Sequence, residues 1–350
     1  MTAVGTSTRA HRSVAFEVTW SCPQRCAYCY HDARRRDGVD GSAAEGGADP
    51  ARLLAALLAG HRFARVDLTG GEPLVSPRLF DIIDRVHALG AVPTLVTDGA
   101  LVGPEEARDL ARHRIALVQT TVLSTDRTLH ARLKGNDTLD ATVRAIALLG
   151  REGVPVSLSF ICTRLNHGEL EDVVRLGRAM GVRSVALSRL CTVGEALASG
   201  PELWPEPWML ARCLERLQEL GATHHVEVSS VVAVPHCVFE AGGRCAVAAG
   251  APNYTVDPFG RVRPCSVSST VLGALPEDPW ERIEARSSRL RAAVVAAVPE
   301  RCRACERLAA CQGGCRESGL AAGSGGQDPL TSPAPARSVP AEAPRRRSWV

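Results

Sequence analysis

The sequence predicts an α/β fold: a partial (β/α)6 TIM-like barrel followed by a small Cys-rich domain with short strands. Three observations predict it. Between residues 14 and 188, short apolar runs alternate six times with amphipathic stretches across short connections. That is the pattern of a parallel sheet with helices outside. From Pro235 onward the pattern changes to Cys, Gly and Pro punctuation. Finally, 350 residues at 45% hydrophobic allow one large and one small domain, while 4% aromatic means a core of Val, Leu, Ile and Ala.

Residues 14–20 read as the first strand. Asp49 and Pro50 supply an N-cap and a first helical position for a helix reaching residue 58. A strand follows at 66–69, then an amphipathic helix at 77–89 closed by Gly90. The alternation continues with a strand at 93–97, a helix at 104–113, a strand at 115–122 and a helix at 138–149 ended by Gly150. A strand at 154–160, a helix at 169–180 ending at Gly181 and a sixth strand at 184–188 complete it. Residues 34–48 read as a solvated loop, 200–207 as a Pro-rich connection and 208–220 as one helix. The expected organisation is a tail at 1–13, the barrel at 14–199, a bridging helix region at 200–234, the Cys-rich domain at 235–319 and a disordered tail at 320–350.

The net charge is +3. Arg337, Arg345, Arg346 and Arg347 against Glu342 account for that excess, so the body of the chain is balanced and no nucleic-acid partner is expected. No apolar run approaches the roughly 18 residues of a spanning helix. The polar N-terminus, with Arg9 and Arg12, lacks the apolar stretch of a secretory signal. A cytoplasmic chain with no membrane partner is expected. Thirteen cysteines there point to metal or catalysis rather than disulfides.

Cys22, Cys26 and Cys29 form a C-x3-C-x2-C run just after strand one. Three thiolates on one short loop can hold three corners of a cubane iron–sulfur cluster and leave one iron open to a chelating substrate. The alternative is a structural zinc knuckle with His31 as fourth ligand. The run Cys22-Pro-Gln-Arg-Cys26-Ala-Tyr28-Cys29 resembles the signature of the radical S-adenosylmethionine (SAM) family, including the aromatic residue Tyr28. Gly70-Gly71-Glu72-Pro73, at the end of strand two, resembles that family's GGEP motif, which contacts the methionine amino group.

The resemblance implies further cofactor-binding positions. Thr97-Asp98-Gly99 resembles the family's T-N-G, with Asp98 in place of Asn. Thr121 stands where relatives carry a ribose-contacting Ser, although Leu123 departs from the usual residue. His130, Lys134 and Gly135 follow at the family's offsets. Asn166 and Arg189 follow strands five and six, where relatives place polar groups near the nucleoside and carboxylate. All lie at the C-terminal ends of strands, where chemistry collects in a parallel barrel.

The second constellation is Cys245, Gly260 and Cys265, then Cys302, Cys305, Cys311 and Cys315, spaced C-x2-C-x5-C-x3-C. Asp257-Pro258-Phe259-Gly260 fits a hairpin turn before Cys265. The pattern resembles the SPASM domain, which holds two auxiliary clusters. Carried over by position, Cys237, Cys245, Cys265 and Cys315 would hold the first, and Cys302, Cys305 and Cys311 would begin the second. Zinc is again the alternative. No cysteine follows Cys315, so one expected thiolate is missing, with Asp328 a candidate oxygen ligand. Cys162, Cys191 and Cys213 remain. Free cysteines are commonly small buried hydrophobes, but Cys191, after strand six, is a candidate hydrogen-atom donor.

The resemblance implies an enzyme with a [4Fe-4S] cluster, one or two auxiliary [4Fe-4S] clusters and S-adenosyl-L-methionine, which it cleaves reductively to a 5′-deoxyadenosyl radical. That radical abstracts a hydrogen atom from the substrate. The expected substrate is a ribosomal peptide, to be cross-linked, oxidised or epimerised. The alternatives are a small molecule such as an aminocyclitol, or a non-catalytic iron–sulfur or zinc scaffold. Only about 13 residues precede strand one, too few for a leader-binding domain, so a separate peptide-recognition protein is expected. A flavodoxin or ferredoxin is the expected electron donor.

Overall fold

The computed structural model describes residues 13–31, 47–59 and 63–331. The tail expected before Ser13, most of the loop expected at 34–48 and residues 332–350 lie outside the described residues. A ten-stranded sheet organises the chain in the order β10-β9-β8-β1-β2-β3-β4-β5-β6-β7. Strands β1 (Ser13–Thr19), β2 (Arg65–Gly70), β3 (Val92–Thr97), β4 (Val118–Thr121), β5 (Val156–Cys162) and β6 (Ser184–Arg189) are those the alternation predicted. They pair in parallel, each with the next. A seventh strand, β7 (Glu227–Val231), extends the row beyond β6.

The helices between them are α1 (Pro50–Leu58), α2 (Leu79–Ala88), α3 (Pro104–Arg112), α4 (Arg127–Lys134), α5 (Leu139–Arg151), α6 (Leu170–Ala179), α7 (Gly194–Ala198) and α8 (Pro207–His224). Asp49 caps α1 by accepting from the Ala51 N–H, with Pro50 in the first turn, as expected. Asp126 caps α4 through the Leu129 N–H. Among the described residues no helix is long and apolar enough to cross a membrane.

The strands are two-faced. Phe16, Leu68, Leu95, Val118, Leu158, Phe160 and Leu187 point outward and join Leu53, Leu57, Ile83, Leu110, Ile146 and Leu214 of the helices in the main core. The opposite parity faces the lumen and is polar. In register around it lie Glu17 with Thr69, Asp67 with Thr94, Gln119 with Ser157, Thr121 with Ser159, and Ser157 with Ser184. Period-two side-chain alternation thus gives an apolar outside for helices and a polar inside for chemistry.

The C-terminal strands belong to the same sheet, which therefore runs across the boundary expected at residue 235. β8 (Thr255–Val256) pairs in parallel with β1, β9 (Arg261–Arg263) turns back on β8 through the expected hairpin, and β10 (Gly273–Ala274) completes the row. Around them lie α9 (Ala246–Ala249), α10 (Trp280–Ala296), α11 (Leu308–Cys311) and α12 (Arg316–Ala321). Phe63, Tyr254 and Trp280 meet edge to face, joining this region to the barrel. The expectation of disorder from residue 320 fails as far as 331. Leu330 packs into the main core, and Asp328 is fully buried.

Candidate active site

The C-x3-C-x2-C loop leaves the end of β1 and is held from three sides. The N–H of Gly71 donates to the Thr19 carbonyl (2.7 Å), and that of Glu72 to the Ser21 carbonyl (2.8 Å). A Cβ on Gly71 would stand 2.2 Å from the Ser21 oxygen. The Gly-Gly pair therefore lets the end of β2 touch the backbone one residue before Cys22. From the C-terminal end of α4, the Leu133 carbonyl accepts from the Ala27 N–H (2.9 Å), and Asn136 donates to the Pro23 carbonyl (3.0 Å) and Gln24 Oε1 (2.8 Å). From α7, the Ala196 N–H donates to the Cys29 carbonyl (3.1 Å) and Ser199 to the Ala27 carbonyl (2.9 Å). Within the loop the Cys29 N–H closes a turn on the Cys26 carbonyl (3.2 Å), leaving all three cysteines half-buried. Three thiols on one braced loop fit a cubane cluster with an open iron. His31 reaches from the loop toward Glu17. Its Nε2 lies 3.5 Å from Glu17 Oε2, although its N–H donates to Cys29 Sγ (3.4 Å).

The structure separates the expected cofactor residues into those at the lumen and those that brace it. Thr121 has lumen parity and is half-buried. Thr97 has the parity of Leu95, and its hydroxyl donates to Glu72 Oε1 (2.7 Å). Glu72 also accepts from the Leu74 N–H (3.1 Å) and the Asp98 N–H (2.8 Å), so its carboxylate clamps the ends of β2 and β3. Burial raises its pKa against these donors. Pro73 is buried at the start of a 3-10 turn. Tyr28 packs with Leu123, Leu133, Leu190, Ala196 and Leu203 in a small apolar cluster.

Four expected site residues are buried and engaged with the protein. Asn166 is fully buried and its amide is spent. Oδ1 accepts from the Thr163 N–H (2.8 Å) and hydroxyl (2.7 Å), and Nδ2 donates to the Leu123 (2.9 Å) and Ile161 (3.0 Å) carbonyls. Arg189 is fully buried and forks onto Asp328, with Nη1 to Oδ2 at 2.5 Å and Nη2 to Oδ1 at 2.9 Å. Both side chains are hydrogen-bonded within the protein. Asp328 in turn accepts from the Cys315 N–H (2.7 Å) and the Leu330 N–H (3.0 Å). Metal ligation would take it from a buried guanidinium, so it is a buried counter-ion instead of a cluster ligand. Cys191, expected as a hydrogen donor, is buried and hydrogen-bonded to Cys315.

Sequence reasoning missed Glu17 and the pairing of Asp98 with Lys134. Asp98, the departure from T-N-G, pairs with Lys134, the only lysine in the chain, and accepts from Gln24 Nε2 (3.1 Å). Glu17, a lone charge in an apolar strand, is fully buried. Burial pushes its carboxyl up, but His31 and Arg263 outweigh that and hold it low. Trp20 Nε1 donates to it at 2.8 Å. A cavity of about 490 Å³ opens beside the residues that flank the cysteine loop. It is lined by Trp20, Tyr30 and His31 from the loop side, Arg261 and Arg263 from β9, and Ser266, Ser268 and Glu317 from the segments that carry Cys265 and Cys315. Burial raises the Glu317 carboxyl. Cys162 and Cys213 pair outside this region, 3.7 Å apart, between β5 and α8.

The C-terminal cysteines fall into two neighbourhoods, one around Cys315 with Cys245 and Cys265, the other around Cys311 with Cys302 and Cys305. Among the described residues no three His, Cys, Asp or Glu side chains converge as one bound ion requires. A cubane holds its thiolates farther apart than a single ion does.

Comparison with known proteins adds three findings. Residues 16–177 match the Radical SAM superfamily. The chain is similar to two proteins named PqqA peptide cyclase. That of Streptomyces rochei is 26% identical over 316 residues, covering 88% of this chain and 85% of the relative. That of Gluconobacter oxydans strain 621H is 25% identical over 336 residues, covering 92% and 91%. In fold it is similar to Streptococcus suis SuiB bound to its precursor peptide SuiA (TM-score 0.72, 13% identity, 90% of this chain and 74% of that one). It is also similar to anSMEcpe with bound AdoMet (TM-score 0.65, 17% identity, 87% and 89%).

Proposed function

We propose that this radical SAM enzyme, whose Radical SAM domain spans residues 16–177, matures a peptide in the cavity beside its Cys22–Cys29 loop. Cys22, Cys26 and Cys29 are the residues proposed to hold the [4Fe-4S] cluster. Gly70, Gly71 and Thr121 are proposed to receive SAM at the adjoining strand ends. When bound, this pair supplies a 5′-deoxyadenosyl radical able to take an unactivated hydrogen atom. The chain's own part is positioning and exclusion of water. Glu72 and Thr97 fix the strand ends, Tyr28 anchors the loop, and Lys134 with Asp98 ties the loop to α4.

The single observation that carries the substrate reading is the place of the cavity. It lies between the Cys22–Cys29 loop and the segments of Cys265 and Cys315. A bound group there is reached from both. Its size suits one or two residues rather than a whole peptide, and Glu317, Arg261 and Arg263 line it with both charges. Peptide cyclases among the proteins it is similar to support the same substrate class. Among the described residues no two cysteines are joined by a disulfide, which suits the proposed reducing, cytoplasmic setting. A flavodoxin or ferredoxin electron donor and a separate peptide-recognition protein complete the reading.

The test is isotope transfer. Given SAM, reductant and a deuterated precursor peptide, the reconstituted enzyme is expected to move deuterium from the peptide into 5′-deoxyadenosine. Transfer from an aminocyclitol or sugar, with none from peptides, would assign the small-molecule reading instead.

A further inference from the structure

Eight cysteines lie at or beyond the end of β6 and outside the Cys162–Cys213 pair. The SPASM resemblance implies one grouping, with Cys237 placed beside Cys245, Cys265 and Cys315. That leaves the other set one thiolate short. The folded chain groups them differently.

Cys237 sits with the second set. The N–H of His236, its neighbour in the chain, donates to Cys311 Sγ (3.3 Å). Arg307, between Cys305 and Cys311, donates to the His236 carbonyl (2.9 Å) and reaches Glu240 (3.5 Å). Residues 236–240 are therefore stitched to the Cys302–Cys311 segment. The thiols that bear electrostatically on Cys237 are those of Cys311, Cys302 and Cys305.

The place this vacates is filled from the barrel. Four hydrogen bonds bind the end of β6 and the residues after it to the segment of Cys315. Arg189 forks onto Asp328, Asp328 accepts from the Cys315 N–H, and Thr192 donates to the Ser318 carbonyl (3.2 Å). Cys191 lies between Arg189 and Thr192 and hydrogen-bonds to Cys315. Cys265 is the other cysteine that bears on Cys191, and Cys245 and Cys315 both bear on Cys265.

We propose that the auxiliary clusters are each held by four thiolates, Cys191, Cys245, Cys265 and Cys315 in one and Cys237, Cys302, Cys305 and Cys311 in the other. The proposal rests on the iron–sulfur reading above. Each thiol releases its proton on ligation. Neither site then needs Asp328 or a substrate atom as fourth ligand. Cys191 is a ligand brought in from the barrel, so the first auxiliary cluster fastens the C-terminal region to the end of β6.

Double substitutions read the partition directly. The full-length protein is reconstituted anaerobically with iron and sulfide, and iron content and Mössbauer spectra are recorded. Wild type is expected to hold about twelve irons in three cubanes. Cys237→Ala with Cys302→Ala removes two thiolates from one site and is expected to lose that cluster outright, leaving about eight. Cys237→Ala with Cys245→Ala removes one from each and is expected to keep iron at both sites. Cys191→Ala with Cys315→Ala is expected to lose one cluster, and Cys191→Ala with Cys311→Ala to keep both. The opposite pattern in the Cys237 pairs would overturn the partition, as would a Cys191→Ala variant with unaltered spectra.

If alanine variants do not fold, single serine variants decide by EPR of the reduced protein. Cys237→Ser is expected to shift the signal that Cys302→Ser shifts, and Cys191→Ser that of Cys315→Ser. A Cys237→Ser shift in the Cys315 signal would contradict the proposal. Zinc in place of iron in wild type would instead defeat the iron–sulfur reading itself.

Discussion

His130 and Lys134 lie on one turn of α4, both buried, and they differ in how they meet that burial. Lys134 is 1% exposed and keeps its charge company with Asp98. A compact ammonium suits so small a space better than the guanidinium used almost everywhere else in the chain. His130 has no such partner. Its Nδ1 accepts from the Leu123 N–H (3.4 Å), and burial, reinforced by the charge of Lys134, lowers its pKa to about 4. The sign of the consequence follows. In the unfolded chain an imidazole takes a proton near pH 6.5, whereas in the folded protein it resists until about pH 4. Stability present above pH 6.5 is therefore lost as pH falls from 6.5 to 4, by at most about 3 kcal/mol. His130→Gln should flatten that part of the pH–stability curve, measured by denaturant midpoint. An unchanged curve would place the pH sensitivity elsewhere.

Strand ends do the positioning at the scale of elements. β2 delivers Gly70 and Gly71 against the backbone that leads into Cys22, where no Cβ fits. Gly71→Ala should push that loop aside. A displacement of about 1 Å at reacting groups can cost on the order of a hundredfold in rate. SAM cleavage is expected to fall by that order while auxiliary iron stays in place, and wild-type cleavage would show that the close approach is dispensable. The cysteine loop and the Gly-Gly turn were legible because spacing and backbone need are written locally. The fold was legible for the six strands whose apolar residues feed the outer core. β7 was missed because Glu227, Ser229, Ser230 and Val231 are exposed and carry no such pattern. The side-chain partners of Thr97 and Arg189 were not legible for another reason. Position at a strand end was taken as access to the lumen, but parity decides it. Thr121 shares the face of Gln119, whereas Thr97 shares that of Leu95. Long-range partners such as Asp328 for Arg189, 139 residues apart, leave no trace in sequence spacing.

For the whole molecule, the sheet and the buried Arg189–Asp328 pair make one body of what composition divides in two. β8 continues the barrel sheet beside β1, and Asp328 closes the chain over the end of β6. Asp328→Ala would strand a buried guanidinium, a change that costs about 3–5 kcal/mol. A lowered melting temperature and faster proteolysis of the C-terminal segment are expected. A wild-type melting curve would mean that the pair does not join the two regions. The central claim, that the Cys22–Cys29 loop drives radical chemistry, has a direct measurement: release of 5′-deoxyadenosine by anaerobically reconstituted, chemically reduced protein given SAM. Wild type is expected to release it. The Cys22→Ala, Cys26→Ala, Cys29→Ala triple variant is expected to release none while keeping its auxiliary iron. Equal release from the triple variant, or none from an iron-loaded wild type, would contradict the account.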